Sequence, residues 1–125
     1  MPSAPAHYPG RAPIDAYGNG GFRFAGMSHR GSLMIVPSGI YAWDVSRMED
    51  VTAEACAAFF REMARPAFVL LGTGRAQVMP GEALRKAFAD TGLGLEAMST
   101  GAACRTYNVL LAEGRDVGAG LIAVD

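Results

Sequence analysis

The segment from residue 99 to 108 carries side chains that could do chemistry. Ser99 or Thr100 is predicted to cap a helix, and the N–H groups of the first helical turn, together with these hydroxyls, would form a cradle for an anion. Arg105 follows early in this helix, where the helix dipole disfavours a cation, so its guanidinium needs either an internal partner or a bound anion. We favour an internal partner, because buried arginines are usually satisfied within the fold. Asn108 either bridges from the helix surface to a neighbouring loop or faces solvent.

Cys104 is the one candidate nucleophile, since a helix N-terminus and the adjacent Arg105 would both lower its thiol pKa. A general base is missing, because His7 lies in the N-terminal tail and His29 in an early turn. We therefore interpret Cys104, like Cys56, as a core thiol in a reducing compartment. The two cysteines form no CxxC pair, so no metal site is predicted. No catalytic residue is assigned, and the sequence favours a protein that is not an enzyme without deciding the question.

A glycine loop, Gly72-Thr73-Gly74-Arg75, follows a short apolar strand and invites comparison with dinucleotide-binding loops. Glu96 lies near the position expected for an acid that binds a ribose. However, Gln77 occupies the third glycine position, and the next helix is predicted to begin only at Pro80, too late to hold a pyrophosphate. We therefore predict no dinucleotide and no other cofactor. Arg75 either binds an anion or is a solvent-exposed side chain of the loop, and we favour the second interpretation.

This glycine loop is predicted to leave the carboxyl end of a central strand, where open α/β sheets place their ligands. We expect the amides that open the helix near residue 99 to face the loop across a shared groove, which would accept a small anionic ligand. The residues predicted to line this ligand site are Gly72, Thr73, Gly74, Arg75, Ser99, Thr100, Arg105 and Asn108.

The elements that would position these residues follow from apolar periodicity and turn signals. Short alternating or continuous apolar runs in the first third predict an antiparallel meander, and later helices alternate with strands, which predicts parallel pairing with right-handed crossovers. The expected fold class is α/β, a three-layer β+α/β/α arrangement with a mixed central sheet, an N-terminal antiparallel meander and a C-terminal βαβαβ unit. The predicted strands cover residues 22–24, 33–36, 40–43, 67–71, 93–98 and 117–124, and the predicted helices cover residues 51–64, 80–92 and 99–114.

Composition limits the remaining function classes. A chain of 125 residues fits one domain, which we place at 18–125, behind a flexible, proline-rich tail at 1–17. The net charge of −1 and the lack of a basic stripe argue against a nucleic-acid partner. No apolar run approaches the roughly 18 residues of a spanning helix, so no membrane insertion is predicted. The expected location is the cytoplasm.

Three sequence runs resemble a family of domains of unknown function that includes the mitochondrial respiratory complex I assembly factor 3 of animals and small bacterial and archaeal proteins. These runs are residues 20–24, residues 71–75 and the long, specific segment 98–110. The similarity extends over about residues 15–124. It implies a three-layer β+α/β/α fold with no established catalytic activity and no known cofactor. It also implies a role in binding other proteins, since the animal member is an assembly factor.

Two functions follow from these features. The first is a non-catalytic protein-binding or assembly-factor-like domain, linked by the resemblance to respiratory complex assembly. Its partner, or a second copy of the chain, would contact aromatic side chains of the meander. The alternative is a small anionic-ligand-binding or enzymatic domain that uses the predicted groove. The aromatic side chains predicted as anchors are Phe22, Phe24, Tyr41 and Trp43.

Overall fold

The structure, a computed structural model, describes residues 8–64 and 67–125, and within these ranges it contains two sheets and three α-helices. The strands are β1 (Tyr8–Pro9), β2 (Ile14–Gly18), β3 (Gly21–Phe24), β4 (Met27–Arg30), β5 (Ser32–Val36), β6 (Gly39–Trp43), β7 (Phe68–Gly72), β8 (Gly94–Met98) and β9 (Val117–Leu121). The helices are α1 (Ala57–Glu62), α2 (Glu82–Thr91) and α3 (Thr100–Ala112).

The central sheet has six strands in the order β1-β6-β5-β9-β7-β8. Strand β7 pairs in parallel with both β8 and β9, whereas β5 pairs antiparallel with β6 and β9. The sheet is therefore mixed, with the βαβαβ unit on one side and the antiparallel strands on the other, as predicted. A second, smaller antiparallel sheet, in the order β2-β3-β4, forms the rest of the N-terminal region.

Alternation along the central strands divides the interior into two cores on opposite faces of the sheet. Leu33, Ile35 and Leu70 belong to the core under α3 and the small sheet. Their neighbours Met34 and Val36 belong to the core under α1 and α2. Because successive strand residues point to opposite faces, continuous apolar strands are buried on both sides. The small sheet with α3, the central sheet, and α1 with α2 are the three layers of the predicted β+α/β/α fold.

The helix boundaries follow from capping chemistry. Gly92 ends α2 with φ +79°, the left-handed conformation that glycine adopts without strain. The Ser99 hydroxyl caps α3 and accepts a hydrogen bond from the Ala102 N–H at 3.3 Å. The predicted helix over 51–64 is wrong in its first turns. There the Thr52 hydroxyl accepts from Ala55 N–H, and the Cys56 N–H bonds to the Thr52 carbonyl, so the chain forms turns before α1 begins.

Residues 8–17 fall in the predicted tail, and in the structure they carry β1 and most of β2. Ala12 is 6% and Ile14 4% exposed, so this segment contributes to the core under α3. The Tyr107 hydroxyl donates to the Ala12 carbonyl at 2.8 Å. Side chains of α3 thus supply hydrogen-bond partners to the backbone of this N-terminal segment. Residues 1–7 of the predicted tail, including His7, lie outside the described residues.

The prediction of exposed aromatic anchors is wrong for three of the four residues. Phe22, Phe24 and Trp43 are 3%, 0% and 8% exposed, and Tyr41 is half-buried. Trp43 packs edge-on against Phe59 of α1, and its indole N–H donates to the Ala55 carbonyl. These rings fill the two cores, because the side of each sheet that carries them packs against helices.

Candidate functional site

Thr73 organises the glycine loop that follows β7. Its hydroxyl donates to the Ala76 carbonyl at 2.6 Å and accepts from the Val78 N–H at 3.0 Å, while its own N–H bonds to the Met98 carbonyl at 2.8 Å. Thr73 is only 6% exposed, so these bonds are shielded from competing water. The loop is consequently fixed to the ends of both β7 and β8, and Gly74, at φ +110°, makes its turn.

Thr100 joins this loop to the start of α3. Its N–H donates to the Gly74 carbonyl at 2.8 Å, and its hydroxyl accepts from the Gly74 N–H at 3.0 Å. The same hydroxyl donates to the Ile122 carbonyl at 2.7 Å, beyond the end of β9. Thr100 is fully buried, with 0% exposure. One side chain therefore ties together the chain segments that leave three neighbouring strands.

Gly72 permits the close approach on which this junction depends. A Cβ added at Gly72 would lie 3.0 Å from the Thr100 Cα and 3.2 Å from a Leu121 methyl carbon. Both distances are shorter than ordinary van der Waals contact, so a side chain here would push the start of α3 or Leu121 away by a few tenths of an ångström. The start of α3 lies against the glycine loop at the same end of the sheet, where the Thr100 N–H donates to the Gly74 carbonyl. Direct hydrogen bonds occupy the space between them, so the predicted shared groove is not open there.

The other predicted ligand residues lie apart from one another. Arg75 is exposed on the glycine loop, whereas Arg105 is exposed on the side of α3 that faces the small sheet, beside Gly101 and Tyr17. The Asn108 amide bonds twice to β2, accepting from the Ile14 N–H and donating to the Ile14 carbonyl, each at 2.8 Å. Asn108 thus acts as a backbone partner for an edge strand.

An open cleft lies instead next to the glycine loop, beyond the carboxyl ends of β7 and β9. It has a volume of about 810 Å³. Of the eight predicted ligand residues, Thr73, Gly74 and Arg75 line it. Sequence reasoning missed its other walls, which come from the short 3₁₀ helix that begins at Met48, from the loop before α2 and from the C-terminus. These walls are Ser46, Arg47, Met48, Glu49, Val78, Met79, Gly81 and residues 122–125.

Val78 and Met79 are the most distinctive feature of this cleft. Their side chains are 42% and 65% exposed, among the most exposed large apolar residues of the described chain. The sequence shows these two apolar residues between the glycine loop and Pro80, but hydrophobic periodicity assigns them to neither a helix nor a strand. Arg47 and Arg75 also line the cleft, as do the acidic residues Glu49 and Asp125, so apolar groups and charges of both signs share it.

Cys104 is buried at 3% exposure within the core under α3. Burial raises the pKa of its thiol to about 12, although the positive charge of Arg105 acts in the opposite direction. The pKa of Cys56 is also raised to about 12 by burial. Both thiols are therefore protonated and shielded at neutral pH, which suits packing and not nucleophilic attack. Within residues 8–64 and 67–125, no three His, Cys, Asp or Glu side chains cluster so as to hold a metal ion.

A family model described as "Protein of unknown function (DUF498/DUF598)" matches residues 14–122, most of the chain. The chain belongs to the DUF498/DUF598 family. The matched range begins at the first residue of β2 and ends just after β9, so it includes the small sheet, every strand of the central sheet except β1, and all three helices.

Three relatives show how this DUF498/DUF598 member compares with known proteins. It is 39% identical over 116 residues to an uncharacterised protein of Rhodobacter capsulatus, covering 92% of this chain and 87% of the relative. It is 31% identical over 117 residues to NADH dehydrogenase [ubiquinone] 1 alpha subcomplex assembly factor 3 of Mus musculus, covering 94% of this chain but only 63% of that protein. The crystal structure of an outer membrane protein from Bartonella henselae is 50% identical with a TM-score of 0.90, covering 95% of this chain and all of that one.

The described part of this DUF498/DUF598 chain offers no helix with the length and apolarity that crossing a bilayer requires. Its longest helix, α3, has 13 residues, whereas a spanning helix needs roughly 20.

Proposed function

We propose that this protein is an assembly-factor-like, protein-binding domain that takes part in building a respiratory NADH dehydrogenase complex. The observation that carries the proposal is the similarity of 94% of the chain to a relative named as an assembly factor of that complex. The chain spans about three fifths of that relative's length. The proposal therefore concerns the shared domain, which includes every element from β2 to β9.

The open cleft beside the glycine loop supports a role in binding a protein, because two exposed apolar side chains line it. Methionine and arginine are enriched at protein interfaces, and the lining of the cleft includes Met79 and Val78 together with Arg47 and Arg75. Burying Met79 in a partner would remove its apolar side chain from water, which favours association. The Thr73 hydroxyl fixes the backbone of this loop through the Val78 N–H, so less conformational entropy is lost on binding.

The alternative, a small anionic-ligand site between the glycine loop and α3, has less support. The hydroxyls that would have bound the anion already make hydrogen bonds within the fold. The Thr100 hydroxyl bonds to the Gly74 N–H and the Ile122 carbonyl, and the Ser99 hydroxyl bonds to the Ala102 N–H. We also propose that the protein works in the cytoplasm. The support is that Cys56 and Cys104 are both free thiols, as reducing compartments maintain them.

Affinity capture from membranes of the organism that encodes this chain tests the proposal. We expect the wild-type protein to enrich NADH dehydrogenase subunits, and Met79→Asp to lose that enrichment, because a carboxylate placed in an apolar interface is costly to desolvate. Val109→Asp is the matched control, since Val109 is 58% exposed on α3, away from the cleft. It should capture the subunits as the wild type does. Wild-type capture without any respiratory subunits would overturn the proposal.

A further inference from the structure

The small sheet has an outer face whose cations lack acidic partners. Phe22 and Phe24 of β3 point into the core, so Arg23 between them points outward. In the pairing of β3 with β4, Arg23 lies opposite Ser28, and Gly21 lies opposite Arg30. Arg23 and Arg30 are therefore diagonal neighbours on one exposed face, with Cα atoms about 7–8 Å apart.

Glycines leave the centre of this outer face without side chains. Gly18 pairs with Gly21 in the register of β2 and β3. At Gly21 a Cβ would overlap the His29 carbonyl oxygen, because β4 crosses unusually close to it, so only glycine fits. A groove of about 420 Å³ lies against these strands. Its lining residues are Ala16, Tyr17, Gly18, Asn19, Gly21, Phe22, Arg23, Ser28, His29 and Arg30.

The charge of this groove is one-sided. Its lining includes two arginines and no carboxylate, and burial lowers the pKa of the lining His29, so the two guanidinium groups carry its charge. Arg11, Arg47, Lys86 and Arg115 form the ion pairs found in the described ranges, so neither groove arginine takes part in one. The Arg30 guanidinium makes only a long contact, 3.4 Å, with the Asn19 carbonyl. Two like charges held on one face repel each other, and a bound anion relieves that repulsion.

We propose that this groove binds an extended, acidic segment of a partner protein, with carboxylates at alternate positions. In an extended chain, same-face side chains are two residues and so about 6.6 Å apart, close to the separation of diagonal arginines. Each guanidinium can then bind one carboxylate through two parallel hydrogen bonds. The groove lies open across three strands, which suits a peptide, whereas small ligands are usually enclosed in pockets. This inference rests on the proposed protein-binding function and names a separate contact surface for it.

Peptide binding to the intact protein tests the inference. The probe is a short fluorescein-labelled peptide in which Glu alternates with Thr, and its matched control has Gln in place of Glu. Fluorescence anisotropy should show binding of the Glu peptide only, weakening steeply as salt is added. Arg23→Gln and Arg30→Gln should each raise the dissociation constant about tenfold, the effect of losing one charge-assisted hydrogen-bonded pair. Arg85→Gln, at an exposed arginine of α2, should not change it.

Several results would overturn the inference: equal affinity for the Gln peptide, unchanged affinity in the Arg23→Gln/Arg30→Gln variant, or binding of inorganic phosphate without binding of the peptide. The wild-type protein, tested both for peptide binding and in membrane capture, separates this inference from the proposed function. If NADH dehydrogenase subunits are captured but the peptide does not bind, the groove proposal fails and the assembly role stands. If the peptide binds but no respiratory subunit is captured, the assembly role fails and the groove proposal stands.

Discussion

Thr100 and Gly74 bond to each other twice: the Thr100 N–H donates to the Gly74 carbonyl, and the Gly74 N–H donates to the Thr100 hydroxyl. This reciprocal pair attaches the glycine loop to the first residue of α3, and it explains why a loop that resembles a nucleotide-binding turn has no open anion cradle behind it. The loop is instead a fixed support for the exposed side chains of Val78 and Met79.

Removing the Thr100 hydroxyl should destabilise the domain. Thr100→Val keeps the shape but leaves the buried Ile122 carbonyl and the Gly74 N–H without this partner. We expect the free energy of unfolding to fall by about 1–3 kcal/mol, measured by urea denaturation. Thr106→Val, at a half-buried site on the same helix, should change it by less than about 0.5 kcal/mol. Equal effects of the two substitutions would contradict the role assigned to Thr100.

The Asn108 amide should hold β2 in place. Asn108→Leu removes both hydrogen bonds to Ile14, so we expect the Ile14 amide proton to exchange faster with solvent, because local opening of β2 becomes easier. Hydrogen exchange followed by NMR measures this directly. The Phe24 amide of the neighbouring strand serves as an internal reference for global unfolding. Unchanged protection of the Ile14 amide in the variant would show that the Asn108 side chain does not hold β2 in place.

Much of the fold could be predicted from local sequence signals. Gly92 and Ser99 mark the end of α2 and the start of α3, and the strand-helix alternation gave the parallel unit. The N-terminal segment was missed for a physical reason. Ala12 and Ile14 obtain their backbone partners from Tyr107 and Asn108, more than 90 residues away in sequence, and composition cannot reveal such contacts.

The site was harder to predict than the fold. Alternation correctly placed Phe22 and Phe24 on one face of a strand, but it could not tell whether that face meets a helix or a partner. Likewise, the glycine pattern predicted the turn after β7 but not that Thr100 fills the space behind it. The grouping of Met79 with Arg47 depends on how distant loops pack, which no local spacing encodes.

Gly120 should tolerate no side chain. A Cβ at this position would lie 2.7 Å from two ring carbons of Trp43, which is buried and fixed by its bond to the Ala55 carbonyl. We expect Gly120→Ala to lower the free energy of unfolding by about 1–3 kcal/mol through overpacking. The fluorescence of Trp43, the single tryptophan, should also change. In a Trp43→Leu background the same substitution should be less harmful, and strictly additive effects would contradict the proposed clash.

Alkaline pH should destabilise the protein through its buried thiols. Burial raises the pKa of Cys56 and Cys104 from an ordinary value of 9.0 to about 12, so the folded state keeps protons that the unfolded chain releases. Their contribution to stability is therefore complete below about pH 9 and is lost as pH rises toward 12. The Cys56→Ala/Cys104→Ala variant should show a shallower decline in unfolding free energy over this window. An identical decline of the unfolding free energy with pH in the variant and the wild type would contradict this role of the two thiols.

Deletion of the gene that encodes this chain tests the proposed role in building a respiratory complex. The quantity to measure is the amount of fully assembled NADH dehydrogenase on native gels of membranes. We predict that deletion lowers this amount while the individual subunits are still made, and that wild type and Val109→Asp restore it but Met79→Asp does not. An unchanged amount of assembled complex in the deletion strain would mean that the domain has no part in this assembly.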